Sequence, residues 1–364
     1  MARLRADHAD LALFDAHTHV GRNDPDGYKQ TPAELIDGLT PIDARALTFP
    51  MHEPGGYDDG VYNDEAIAAA AGSDDRVFAL CRVDPNTGAA ALAEATRALD
   101  AGARGIKLHP RGESFTMGHE TVEKLVALAH ERELPMLIHA GRGIPALGVD
   151  TVRLAGAFPN AKFILAHSAV SDLGWIWREM HTHRNLYVDT SWWNPSDLLA
   201  LFALAPPGQV LWASDSPYGI PIGSAIWHLR TALQAGLTEE QLLGIAGGQL
   251  ARIIAGEPPA DLGPPPGVGR ALHPLLERIH SHLNTTVGRV FARADYAETL
   301  SLAMLACDVP DDDEVAPVCA AVREFLELFV AEWAPPRPGR GFPDALRFLI
   351  MAVFVVRTPD VPLP

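Results

Sequence analysis

The chain has 364 residues, enough for one large domain of about 200–250 residues with an addition, or for two ordinary domains. Its 46 acidic residues against 29 basic ones give a formal charge of −17, which repels phosphate backbones and argues against nucleic acid as a partner. The longest apolar run, Phe348 to Val356, is far shorter than the roughly 20 residues of a membrane helix, and Cys81, Cys307 and Cys319 form neither a disulfide framework nor a thiolate zinc motif. These features, with an N-terminal MARLRADHAD that lacks a secretory pattern, fit a protein of the reducing cytoplasm.

In chain order, short β-rich runs alternate with Ala/Leu-rich segments. The strand candidates are LALFDAHTH, ARALTFP, VFALCRVDP, ARGIKLHP, PMLIHAG, KFILAHSA, NLYVDTSWW and VLWASDSP. Helices are expected between them, including Asn63 to Gly72, Gly88 to Ala101, His119 to Arg132 and Asp150 to Phe158. Eight strand–helix units in roughly 245 residues predict an α/β fold, a (β/α)8 TIM barrel over residues 1–255. An open doubly wound sheet is the alternative, but its glycine-rich GxGxxG turn is missing.

The proline- and glycine-rich GEPPADLGPPPGVG marks a linker over 256–269. Residues 270–364 read as an appended all-α C-terminal domain, whose last segment is apolar nearly all round and is expected to pack inside it or against another copy in a homo-oligomer. Asp308 to Glu314 lacks the spaced ligands and glycine of a calcium loop and reads as a solvated helix start.

Chemistry-bearing residues collect at the ends of the strand candidates. Alternation places Asp15, His17 and His19 on one face of the first strand, and Lys107 with His109 on one face of the fourth. A lone histidine there is ordinarily a hydrogen-bonded core residue. Here His139, His167 and Asp215 close three further strands, where barrels of this kind build their active sites. Burying so many polar groups together is costly without a balancing charge, and a divalent cation supplies it. Imidazoles and a carboxylate suit Zn2+, with Mn2+, Fe2+ or Ni2+ chemically admissible.

These residues resemble the amidohydrolase superfamily, in particular its branch related to aminocarboxymuconate-semialdehyde decarboxylase. The resemblance spans roughly residues 12 to 255 and is carried by DAHTH, YNDEAIAAAA, DDRVFALCRVDP, GARGIKLHP, LIHAG, LAHS and ASDSP in that order. It implies that His17, His19, His139 and Asp215 lie at a metal centre, with His167 a catalytic imidazole or the ligand of a second ion. It also implies that Lys107 either stays unmodified or is carboxylated and bridges two ions.

The expected activity is metal-dependent hydrolysis of a C–O or C–N bond in a small, carboxylated or cyclic molecule, with Asp215 moving the proton of an activated water. A decarboxylase on the same site is the runner-up, and a non-catalytic metal-binding scaffold the third reading. His52, His109, Arg111, Arg142, Trp192 and Tyr218 are the candidates for lining the substrate pocket, with Glu53 and Trp193 beside them. Of the adjacent tryptophans, one is expected to face outward. Asp15 either orients a ligand histidine or accepts backbone hydrogen bonds.

Overall fold

The computed structural model describes residues 1–141, 147–336 and 342–363. Among the described residues there are nine strands: β1 Phe14–Val20, β2 Arg45–Pro50, β3 Val77–Ala79, β4 Cys81–Arg82, β5 Ile106–Leu108, β6 Pro135–Ile138, β7 Lys162–Leu165, β8 Leu186–Asp189 and β9 Val210–Leu211. β3 and β4 are two halves of one predicted strand, parted at Leu80. Each neighbouring pair within β1-β2-β3 and within β4 to β9 is parallel.

Backbone bonds join these two sheets at both ends. Leu80 N–H donates to Thr48 O at 2.8 Å while Cys81 N–H donates to Gly105 O at 3.0 Å, so the parted strand spans β2 and β5. On the other side Ala16 N–H donates to Trp212 O at 3.0 Å and His19 N–H to Ser216 O at 2.8 Å, which brings the last strand against the first. Helices lie between successive strands, among them Val61–Ala71, Ala89–Asp100, Glu120–Glu131 and Gly148–Ala157, each within two residues of its expected bounds. The result is a TIM-barrel α/β fold with extra C-terminal helices.

The barrel interior is filled from one end by Phe14, Leu47, Leu80, Leu137, Ile164 and Leu211, an apolar plug that leaves only the opposite, carboxyl end of the strands for polar side chains. All seven residues of β1 are buried, as parallel strands covered on both faces require. Its pairing with β2 shifts register between Asp15 and Thr18. This bulge changes the parity of the strand: Phe14 and Ala16 face the inner core, whereas His17 and His19 above them open into the cleft. The expectation that Asp15, His17 and His19 share one face is therefore corrected. Asp15 lies in the barrel wall, where its Oδ1 accepts the backbone N–H groups of His17 at 3.0 Å and Ser214 at 2.9 Å.

From 257 to 273 the chain has no helix or strand. The helices Pro274–Phe291, Ala297–Ala306, Ala316–Ala331 and Leu346–Arg357 follow. The last buries Leu349, Ile350 and Ala352 through Val356 within the same chain, against barrel helix Pro221–Ala235: the rings of Phe354 and Trp227 stack at 5.5 Å. Buried Arg230 on that barrel helix donates to the backbone carbonyls of Thr358 at 2.7 Å and Val361 at 2.8 Å, and also to Pro362 O and Thr358 Oγ1. Asp308 of the acidic stretch pairs with Arg323, and Asp313 accepts from Val315 N–H at 3.0 Å just before a helix begins. Among the described residues no helix is long and apolar enough to cross a membrane.

Candidate metal centre

At the carboxyl ends of the strands, His17 Nε2, His19 Nε2 and Asp215 Oδ1 form a triangle with edges of 3.1, 3.1 and 3.2 Å. Donor atoms around a tetrahedral ion at bond lengths of about 2.0–2.2 Å stand about 3.3 Å apart or a little more, so this triangle is close to one face of such a shell. His17 and His19 are buried, while Asp215 keeps 21% of its side chain open to the cleft.

The tautomers are assigned by hydrogen bonding. His17 Nδ1–H donates to Asp189 Oδ2 at 2.8 Å, which turns the lone pair of Nε2 into the triangle. His167 Nδ1–H donates to Ser191 O at 2.8 Å, so its Nε2 accepts from His139 Nδ1–H at 3.0 Å. That chain leaves His139 Nε2 with a lone pair, buried and without a hydrogen-bond partner among the described residues. An acceptor left over in the same cavity as Asp215, His19 and the oriented His17 fits a cation.

Donor atoms of His17, His167 and Asp215 also lie within 4.8 Å of one another. The His167 atom nearest Asp215, however, is Nδ1 at 4.0 Å from Oδ2, and its proton is committed to Ser191 O. The tighter triangle with His19 is thus the better donor set.

Local backbone explains how these side chains meet. His167 (φ 57) and Asp215 (φ 60) leave β7 and β9 in the left-handed region, a conformation that costs a non-glycine residue about 1–3 kcal/mol and that clusters at functional sites. A Cβ on Gly141 would stand 2.6 Å from His167 Cδ2 and 3.2 Å from His139 Cε1, so the glycine of LIHAG is what lets the two rings approach.

Burial holds His17, His19, His109 and His139 well below the usual imidazole range, so all four are neutral. It raises Asp215 well above the usual carboxylate range, the cost that a bound cation would reverse. Lys107 lies fully buried with Nζ 3.5 Å from His17 Nε2 and 4.4 Å from the Phe49 ring centre. Desolvation, then the nearby Arg82, pushes its pKa down to about 7.

The cavity over the centre measures about 470 Å³ and includes His52, His109, Arg111 and Tyr218 among its walls. His109 stacks on His139 at 4.0 Å, and its Nδ1 accepts from Gly112 N–H at 2.8 Å, which places its proton on Nε2. Tyr218 hydrogen-bonds Asp24 and sets its ring 5.1 Å from His19. Trp192 approaches His167 at 6.3 Å, whereas Trp193 turns to Phe291 of the C-terminal helices at 5.2 Å. Glu53 is buried and accepts from Asn23 Nδ2 at 2.6 Å. Arg142 lies outside the described residues.

Three groups escaped sequence reasoning: Asp189, Ser191 and the buried ion pair of Arg82 with Glu113 at 2.6 Å. Asp189 carried a usable signal, an acidic residue closing the apolar strand LYVD.

The amidohydrolase family model matches residues 14–248. The chain belongs to that family. It is accordingly an enzyme of a family of metal-dependent hydrolases and decarboxylases, and a divalent metal is the cofactor class that its donor set fits. No curated protein matches the chain. Among solved structures it is similar to 5-carboxyvanillate decarboxylase from Sphingomonas paucimobilis, at 18% identity and a TM-score of 0.54 over 67% of this chain and 99% of that one. It is also similar to 2,6-dihydroxybenzoate decarboxylase from Rhizobium, at 12% identity and 0.54 over 67% and 99%. A third likeness is to 4-oxalomesaconate hydratase from Rhodopseudomonas palustris, at 15% identity and 0.50 over 67% and 95%. At these identities the likeness concerns the fold.

Proposed function

We propose that this amidohydrolase hydrolyses a C–O or C–N bond of a small, carboxylated or cyclic substrate, using one divalent ion, Zn2+ in the first instance, held by His17, His19, His139 and Asp215. The observation that carries the reading is the triangle of His17 Nε2, His19 Nε2 and Asp215 Oδ1, with His139 Nε2 orphaned nearby. When bound, such an ion supplies Lewis acidity and lowers the pKa of a water from 15.7 to about 7.

The chain's own groups do the remaining work. Asp215 Oδ2, the oxygen outside the triangle, accepts the proton of the attacking water and later returns it to the leaving group. His167, fixed by Ser191 O, holds His139 in the tautomer that frees its Nε2 and faces Asp215 across the cleft. His109, protonated on Nε2, donates to a developing substrate oxygen. Arg111 at the rim receives a substrate carboxylate, and His52, Trp192 and Tyr218 bound the substrate. Lys107 remains an unmodified amine. Because His167 and His139 are engaged with each other, a second ion with a carboxylated Lys107 is the lesser alternative.

A second reading, decarboxylation on the same groups, is supported by the two decarboxylases among the solved relatives. Metal analysis of wild type and Lys107→Ala, followed by a substrate panel read for both acid release and carbon dioxide, tests all of this. One equivalent of metal in both proteins with acid release is the expected result. Carbon dioxide without hydrolysis overturns hydrolysis, two equivalents falling on Lys107→Ala overturn the single ion, and bound metal without any turnover revives the scaffold.

A further inference from the structure

Beyond the metal cavity the cleft continues into a second space of about 350 Å³. The two spaces share His139, His167, Asp215 and Tyr218, so a molecule held at the metal centre has direct access to both. The far wall of the second space is foreign to the family match, which ends at residue 248. It is made by Phe291, Phe342, Leu346 and Ile350 of the C-terminal helical region. Leu346 and Ile350 stand four residues apart on one face of helix Leu346–Arg357.

The near wall is aromatic as well. Trp192 lies 5.9 Å from Trp193, Trp193 lies 5.2 Å from Phe291, and Phe291 lies 5.1 Å from Phe342, a continuous run of rings from the barrel to the helices. At the far end Arg347 donates to Glu332 at 2.7 Å and to Asp344 O at 3.2 Å. Polar groups thus crowd the metal side, while the opposite side is mostly apolar, with Asp344 and Arg347 at its end. Such a space hydrates poorly and rewards apolar contact, and pockets of this size with a few convergent polar groups are ligand sites.

We propose that the C-terminal helices form a specificity-determining wall, and that this annex takes an alkyl or aryl arm of the substrate. The inference rests on reading the adjoining centre as the reaction site and adds to it a requirement for an apolar arm. Short, wholly polar acids would leave the annex empty and be poor ligands.

The test is calorimetric titration of the full, metal-loaded protein with n-alkanols from ethanol to octanol and with n-alkanoates from acetate to octanoate. Affinity is expected to rise about three- to fourfold per added methylene in both series. Leu346→Trp, which fills the annex, flattens both rises, and Leu346→Ala, which widens it, extends them to longer chains. These opposite signs, with a thermal melt of each variant, separate loss of the wall from loss of the fold. A flat alkanol series in the wild type, or a rise unchanged in Leu346→Trp, overturns the proposal. A rise in the alkanols with no added affinity of the alkanoates for the metal-loaded over the metal-free protein upholds the annex and removes instead the reading of the centre beside it.

Discussion

The barrel mouth and the C-terminal helices both exclude water, by opposite means. Strand β1 buries Asp15, His17 and His19 among apolar neighbours, while helix Leu346–Arg357 buries only Leu, Ile, Ala, Val and Phe. Polar burial is tolerated at the mouth because nearly every group there is given a partner: Asp189 for His17, Ser191 for His167, Glu113 for Arg82. What the partners leave over includes His139 Nε2, which lines one cavity with the His17, His19 and Asp215 triangle. Among the described residues the C-terminal helices leave over only Asn284 Oδ1 and Arg357 Nε, so their burial chiefly stabilises the fold and shapes the cleft. The contrast teaches that ligand-type groups gathered in one cavity with capacity left over, more than burial itself, point to a candidate site.

If that contrast is right, the largest effects belong to the mouth. His17→Ala or His19→Ala is expected to abolish metal retention and activity while the protein stays folded, checked by elemental analysis beside a melt; full metal content in either variant breaks the assignment. Asp189→Asn comes next. It leaves His17 in place but removes the charged acceptor from Nδ1–H, so metal affinity is expected to fall about 10- to 100-fold, measured by competition with a chelator.

The helices, by contrast, are sensitive through packing and docking. Arg230→Ala strands the carbonyls of Thr358, Val361 and Pro362, and a loss of at least about 1–3 kcal/mol is expected in denaturant unfolding, with metal content unchanged. A metal loss of the same size would show that the two regions are energetically one.

The last effect is a pH dependence, small within any one pH unit, carried by His228 at the seam between the regions and by His280 among the C-terminal helices. Burial lowers His228, between Thr190 and Trp192, from 6.5 to about 4, and lowers His280 on the first C-terminal helix to about 4 as well. Between those values the unfolded chain takes up protons that the folded one refuses. These two histidines therefore add no pH dependence above about pH 6.5 and lower stability as pH falls toward 4, by up to about 1.4 kcal/mol per pH unit each. His228→Gln is expected to reduce that slope by one proton in melts taken from pH 7 to 4, and an unchanged slope would count against the buried, neutral ring.

Much of the barrel was legible because parallel strands and their crossover helices write strong local periodicities, and because each polar strand end falls at one mouth by topology. The break at Leu80 went unseen, since pairing rather than composition divides that strand. The candidate site was legible as a set of residue types: His17, His19, His139, His167 and Asp215 close strands in order, and no apolar core asks for them. Their roles were not. The bulge that turns His17 and His19 inward and Asp15 into the wall comes from the register of β1 against β2, which no single strand encodes. Asp189 stands 172 residues from His17, and the proton chain from Ser191 through His167 to His139 joins three strand ends. The annex needs residues from both sides of a long connection. The sequence by itself determined which elements form and which side chains carry chemistry, because those follow from local pattern. Only the tertiary structure decided which nitrogen points where and what lines the cleft, because orientation and enclosure are set by contacts between distant parts of the chain.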